Sequence, residues 1–292
     1  MKQTKQQVIP IHSMDAKASL GIEFNYLEMT NEYDEIMIES HKNVVHRDDY
    51  YVFFFLDAGE AMLAIDFKQM QIIGNAILYV SPGQVHFVSS MQMVKGWYLA
   101  IDPMLVENSY KNTFEGRFHT QKPIVLNDYI SAIMGKIANL LHTTMQTKPT
   151  AFSSEIVLNI ANAFIGLIAE QYASQHDNML NCKSRSAQIT YQFKELLSLN
   201  FKVLKSPTQY AKKLNYSLSH LNESVKSTTG LPISYWIHHQ VILEAKRLLY
   251  YTNMGVKEIA FFLGYEDYAY FSRLFSKVVG EPPSAFRRKF HE

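Results

Sequence analysis

One helical pattern is written twice in the last third of this chain, and that repetition constrains the fold more than any other feature. Ala211, Leu214, Leu221, Val225, Gly230 and Pro232 are echoed by Ala260, Leu263, Phe271, Phe275, Gly280 and Pro282. The interval is 49 residues for the first two pairs and 50 for the rest, so the second copy holds one inserted residue between its helices. In each copy an Ala and a Leu three residues on face inward from a first helix. A short turn follows (Asn215-Tyr216-Ser217 or Gly264-Tyr265-Glu266-Asp267), and two large apolar residues four apart anchor a second helix. This spacing predicts a helix-turn-helix, whose second helix can lie in a DNA major groove. Two copies, at 208–228 and 256–279, predict two grooves.

The segment between the copies runs from Pro232 through Ile233-Ser234-Tyr235-Trp236-Ile237 to Glu244-Ala245-Lys246-Arg247-Leu248-Leu249-Tyr250 without Gly or a further Pro, and stops near Thr252-Asn253 and Gly255. About twenty helical residues rising about 1.5 Å each span roughly 30 Å. That nearly matches the roughly 34 Å between successive major-groove faces on one side of B-DNA. One rigid helix is expected to hold both reading heads in register.

Residues from about 187 onward resemble the DNA-binding domain of the AraC/XylS family of bacterial transcription regulators. The resemblance is carried by Glu258-Ile259-Ala260, Leu263-Gly264-Tyr265-Glu266-Asp267, Tyr270-Phe271-Ser272-Arg273, Phe275, Gly280, Pro282-Pro283-Ser284 and Phe286-Arg287, and more weakly by Tyr210-Ala211, Leu214 and Gly230 in the first copy. The chain departs from the family at Val241, where an Arg is usual, at Ala269, where a Ser is common, and at Glu223, which is often basic or polar. The resemblance implies a cupin-like, jelly-roll sensor domain ahead of the DNA-binding domain, a small-molecule effector, a homodimer and RNA polymerase as a possible partner.

Charge divides the chain in the same place. Residues 187–292 hold fourteen Lys and Arg against eight Asp and Glu, a net of +6, and the rest holds fourteen against nineteen, a net of −5, which together give the whole chain's +1. A basic helical half fits phosphate contact, whereas an acidic half is repelled by DNA. With 292 residues and 47% apolar content the chain is long enough for two globular domains. The single cysteine, Cys182, excludes an intramolecular disulfide and CxxC zinc clusters and suits a reducing cytosol. The N-terminus lacks the apolar run of a signal peptide, and no later stretch has eighteen uninterrupted apolar residues, so a cytoplasmic, non-membrane protein is expected.

The first 125 residues alternate short β-rich runs with turn signals. Strands are expected at Phe24–Met29, Glu35–Glu39, Tyr50–Leu56, Ala61–Phe67, Ala76–Val80, Val85–Ser89 and Gly96–Ile101, broken at Asp57-Ala58-Gly59, Ile73-Gly74-Asn75 and Ser81-Pro82-Gly83. Such spacing indicates a sandwich or small barrel. Over 126–173, Ile130-Ile133-Met134-Ile137-Leu140-Leu141 and Ile156-Val157-Ile160-Ala161-Phe164-Ile165-Leu167-Ile168 repeat at three and four residues, with Lys148-Pro149-Thr150 between them. They predict a helical hairpin, either buried against the barrel or showing an apolar stripe to a second subunit. Residues 174–186 lack an apolar period and are expected to link it to the DNA-binding domain at 187–292. The expected fold is therefore α+β with two domains: a cupin-like β-barrel with a helical hairpin, then an all-α domain whose two helix-turn-helix motifs share a long helix.

Enzyme chemistry finds little support. Cupin enzymes hold a metal with His-x-His, a downstream carboxylate and a later His, because the ion needs three or four converging donors. Here His46-Arg47-Asp48 gives one His, Val52 to Phe54 are apolar where a Glu ligand would fall, and His86 alone matches the later position. No metal or cofactor is expected, and His86 also reads as a turn-supporting hydrogen-bonder. GxSxG, HExxH and phosphate-cradling loops are absent. Tyr50-Tyr51-Val52-Phe53-Phe54-Phe55 alternates between two faces if extended, so Tyr51, Phe53, Phe55 and His86 are candidates for lining an effector cavity, against core packing on both faces.

In the reading helices the polar residues opposite the anchors carry the chemistry. Leu218, Leu221 and Val225 should face inward, leaving Ser219, His220, Asn222, Glu223 and Lys226 outward; in the second copy Tyr268, Ala269, Tyr270, Arg273 and Lys277 are outward, and Arg287 completes the DNA-binding set. Asn suits adenine, Glu accepts from cytosine, Lys226 reaches phosphate, and Arg273 is the candidate for a bidentate guanine contact. The function expected is sequence-specific transcription regulation on double-stranded DNA. The alternatives are a cupin-type metalloenzyme with an appended helical domain and a protein-interaction adaptor that does not bind DNA.

Overall fold

The structure, a computed structural model, describes residues 9–14, 20–29, 45–115, 121–174 and 184–289. They form two compact units, one of the described residues within 10–174 and one of Ile9 with those within 184–289. The expected strand Glu35–Glu39, Cys182 and most of the expected linker lie outside the described residues.

The first unit is built on an eight-stranded sheet. Its strands are β1 (Ile11–His12), β2 (Ile22–Glu28), β3 (His46–Asp48), β4 (Tyr51–Ile65), β5 (Lys68–Ile73), β6 (Ala76–Val80), β7 (Val85–Ile101) and β8 (Ile124–Val125). They pair in the order β1-β3-β7-β4-β6-β8, with β2 also on β7 and β5 also on β4. All pairs are antiparallel except β1 with β3. Among the described residues the pairing is an open path, where a closed barrel was expected.

The two strands expected at Tyr50–Leu56 and Ala61–Phe67 are one strand, β4. The turn signal Asp57-Ala58-Gly59 makes a bulge instead of a break, because the register against β7 shifts between Leu56 and Ala58 and again before Glu60. Gly59 takes φ 84° there, and a Cβ would stand 2.2 Å from the Met93 carbonyl oxygen. Val85–Ser89 and Gly96–Ile101 likewise fuse into β7. β5 was not expected, because its Lys68-Gln69-Met70-Gln71 start is too polar to read as a strand; only Met70 and Ile72 are buried.

Strand parity decides what this sheet can do. Tyr51, Phe53 and Phe55 point to one side, into a core completed by Trp97, Leu99, Phe114 and two helices, α2 (Asp128–Gln146) and α3 (Ser153–Ser174). Val52, Phe54 and Leu56 point to the other, into a second core with Leu63, Leu78, Val80 and Val94. A shorter helix, α1 (Asn108–Glu115), precedes the hairpin, and Tyr79 on β6 donates a hydrogen bond to its Phe114 carbonyl. The helix α3 is long and apolar enough to cross a membrane by length and composition. Its Val157, Ala161, Phe164, Ile165, Ile168 and Ala169 are buried in the first core, which accounts for that apolarity. Leu140, in the apolar repeat of α2, is 55% exposed.

The second unit is helical: α4 (Arg185–Asn200), α5 (Pro207–Lys213), α6 (Leu218–Thr229), α7 (Ile233–Tyr251), α8 (Val256–Phe262), α9 (Tyr268–Val279) and α10 (Pro283–Arg288). The first helix starts at Arg185, capped by Ser184, so it reaches into the segment expected to be linker. The bridging helix α7 is 19 residues long, or roughly 28 Å at about 1.5 Å per residue. It buries Ile233, Trp236, Ile237, Val241, Ile242, Ala245, Leu248 and Leu249, and beside them Glu244 and Arg247, paired at 3.4 Å.

Candidate nucleic-acid interface and ligand cavity

The two helix-turn-helix copies are built by the same local chemistry. In the first, Leu214 N donates to the Tyr210 carbonyl and Tyr216 N to the Ala211 carbonyl; in the second, Leu263 N donates to Ile259 and Tyr265 N to Ala260. The residue between takes the left-handed conformation in both, Asn215 at φ 57° and Gly264 at φ 79°. Asn and Gly are the residues that enter this region at low cost. Four residues separate α5 from α6 and five separate α8 from α9, so the inserted residue lies in the second turn.

Each reading helix is started and stopped by its own sequence. Ser217 caps α6 by accepting from His220 N, and Asp267 caps α9 by accepting from Ala269 N and Tyr270 N. Gly230 (φ 76°) and Gly280 (φ 90°) end them in left-handed caps. The anchors Leu221 and Val225, and Phe271, Leu274 and Phe275, are buried. Leu218, expected inside, is 43% exposed, and Ser224 takes the inward position.

The outward residues divide into two groups. Ser219, His220, Glu223 and Lys226 on α6, and Tyr268, Tyr270, Arg273 and Lys277 on α9, are exposed, while Ala269 is half-buried. His220 packs its ring edge-on against Tyr216, and Tyr270 stacks on Tyr265, so each turn tyrosine steadies one exposed ring of its reading helix. Arg273 lies 3.9 Å from Asp267, both well exposed, an ion pair that water screens and a base can displace.

Two members of the expected set have other work. Asn222 accepts from Ile233 N through its side-chain oxygen, which satisfies an amide in the first turn of α7. Arg287 is half-buried, with Nε donating to the Leu249 carbonyl and an Nη to the Met254 carbonyl. It ties down the C-terminal end of α7 and the segment after it, a role invisible to spacing.

The first unit holds a cavity of about 540 Å³, lined among others by Glu23, Asn25, Met29, Tyr50, Phe54 and Tyr98. Tyr51, Phe53 and Phe55 do not line it, because the neighbouring parity of β4 faces it and theirs faces the helices. Tyr50 and Tyr98 share a hydrogen bond, and burial raises both phenols well above the ordinary range.

His86 lines this cavity with three partners the sequence did not bring together: His12 from β1, and His46 and Asp48 from β3. The pairing of His46 with His86 across β3 and β7, and of His12 with Asp48 across β1 and β3, sets them side by side. Asp48 is 3% exposed. Its Oδ1 is 3.8 Å from His12 Nδ1 and 3.7 Å from His46 Nε2, and its Oδ2 is 3.3 Å from His86 Nε2. Burial pushes the Asp48 carboxyl up to about 6 and the deeply buried His86 down to about 3. His86 Nδ1 also lies 3.2 Å from the Gln84 carbonyl, which fixes its ring.

Residues 210–289 match the family described as Helix-turn-helix domain. The chain is 23% identical over 90% of its length to the uncharacterized HTH-type transcriptional regulator YfiF of Bacillus subtilis (strain 168), covering 82% of that protein. It is 23% identical over 83% of its length to the Msm operon regulatory protein of Streptococcus mutans, covering 85% of it. It is also 37% identical to the arabinose operon regulatory protein of Escherichia coli (strain K12), over 24% of each chain.

Proposed function

We infer that this chain, which carries an AraC-type helix-turn-helix domain and has AraC/XylS-family regulators among its homologues, is a sequence-specific DNA-binding transcription regulator. The observation that carries the reading is the pair of identically hydrogen-bonded helix-turn-helix units joined by the single helix α7. The reading heads are α6 and α9, with Ser219, His220, Glu223 and Lys226 on one and Tyr268, Tyr270, Arg273 and Lys277 on the other. Arg273 takes guanine and Lys226 takes phosphate.

The first unit is read as a cupin-like, jelly-roll sensor, and the cavity between β2, β3, β4 and β7 supports a small-molecule effector there. A second copy of the chain docks through the α2–α3 hairpin, where Tyr129, Leu140, Phe152 and Ile156 are exposed. The protein acts in the cytoplasm, on DNA and alongside RNA polymerase, in the role of transcription regulator that its relatives carry. Footprinting across the region upstream of its own gene tests the reading. The expected result is protection of two successive major grooves, with log affinity falling linearly with log salt concentration. Absence of salt-dependent DNA binding by the full chain overturns it in favour of a protein-binding adaptor.

A further inference from the structure

We propose that His12, His46 and Asp48 bind a divalent transition-metal ion of the zinc class, with the remaining coordination position open to the cavity of the first unit. The proposal stands on this cluster and is independent of the DNA-binding reading.

The three residues come from two short paired strands, and one ligand atom of each lies within 4.8 Å of the others. Asp48 Oδ1 is buried and makes no hydrogen bond, which is a costly state for a carboxylate oxygen unless a cation sits beside it. Two imidazole nitrogens face that oxygen at 3.7 and 3.8 Å, too far for hydrogen bonds. Around a tetrahedral zinc with bonds of about 2.0–2.1 Å, neighbouring ligand atoms stand roughly 3.3–3.4 Å apart. The two carboxylate–imidazole distances therefore need to contract by only a few tenths of an ångström, and the imidazole pair closes from within 4.8 Å. The His12 and His46 rings are already stacked at 4.3 Å, so little side-chain freedom remains to be lost on binding.

His86 is a positioning residue here. Its Nε2 lies 3.3 Å from Asp48 Oδ2, in the place that outer partners of metal sites take beside a ligating carboxylate. Two imidazoles and one carboxylate prefer zinc, nickel, cobalt or iron over magnesium and calcium, which require oxygen donors. Three protein ligands with a free position are the arrangement of sites that bind an exchangeable water or ligand, in contrast to closed structural sites. The set is not the His-x-His pattern sought in the sequence, because its second histidine comes from β1, 34 residues before His46.

The test uses the full chain, stripped with a chelator and then titrated with Zn²⁺. One equivalent should bind and survive dialysis, and Mg²⁺ in large excess should not displace it. His12→Gln and Asp48→Asn should each weaken Zn²⁺ binding at least about tenfold, since loss of even an outer partner costs 10–100-fold. His142→Gln, on α2, should leave it unchanged. Co²⁺ in place of Zn²⁺ should give a visible absorption band that the same two variants abolish. His12 is 42% exposed on a two-residue strand, so its variant keeps the fold even where Asp48→Asn does not, and circular dichroism checks both. No stoichiometric Zn²⁺ on the wild type, unchanged affinity in His12→Gln, or displacement by Mg²⁺ overturns the assignment.

Discussion

Arg273 and Arg287 are the same residue type fourteen positions apart, and the structure gives them opposite surroundings. Arg273 is 71% exposed and among the described residues is held by a long ion pair, so Arg273→Ala should cost about 1–3 kcal/mol on the cognate site and relax preference at one base position. Lys226→Ala should instead weaken binding to all sequences, and equal losses on specific and random DNA from both variants would remove Arg273 from base reading. Arg287→Ala loses two hydrogen bonds, to the Leu249 carbonyl near the end of α7 and to the Met254 carbonyl in the segment after it, each worth about 1.5–3 kcal/mol for a charged donor. Its signature should be a lower melting temperature with unchanged DNA affinity per folded molecule, and the reverse pattern restores it to the interface. Glycine at 264 is equally specific. With φ 79° and a Cβ that would stand 1.9 Å from the Lys202 carbonyl oxygen, Gly264→Ala should destabilise by more than the ~1–2 kcal/mol of the left-handed conformation alone. Asn215→Gly, at the equivalent turn, should be neutral or stabilising in the same thermal melt.

Among the elements, those whose residues satisfy a local period were legible. The anchors of α6 and α9, the caps Gly230 and Gly280 and the extent of α7 follow from spacings of three, four and fifty. What the sequence withheld depends on pairing. β4 and β7 each read as two strands, β4 because Asp57-Ala58-Gly59 carries turn chemistry that a bulged sheet also uses. Tyr51, Phe53 and Phe55 were distinguishable from Tyr50 and Phe54 by parity but not by which parity met the helices. The histidine cluster needed three strands in register, and no single window contains it. The bridge carries its own prediction. If α7 holds both reading heads one DNA turn apart, a five-base-pair insertion between the two contacted blocks should abolish most specific affinity. A ten-base-pair insertion should restore little, because the helix cannot lengthen. Near-normal affinity of one protomer for either site, in a band-shift titration, would show that α7 does not couple them.

At the scale of the molecule, the second unit contains both anchor sets, the bridge and the cap of its own first helix. A fragment of residues 184–292 should therefore fold alone and bind DNA, whereas cutting at 187 removes Ser184, Arg185 and Ser186 and should cost about 1 kcal/mol through the lost cap. Circular dichroism of a disordered 184–292 fragment rejects that independence. The first unit has a different logic, set by β4. Phe53 lies in the helix-facing core and Phe54, one residue on, lines the cavity, so a single layer of backbone separates whatever occupies the cavity from α2 and α3. Such a sheet behaves as a diaphragm. Close-packed interiors transmit displacement with little absorption. A ligand that pushed Phe54 or Tyr98 outward would press Phe53, Phe55 and Trp97 toward Phe164 and its neighbours, and the hairpin would register the filling of a chamber it does not line.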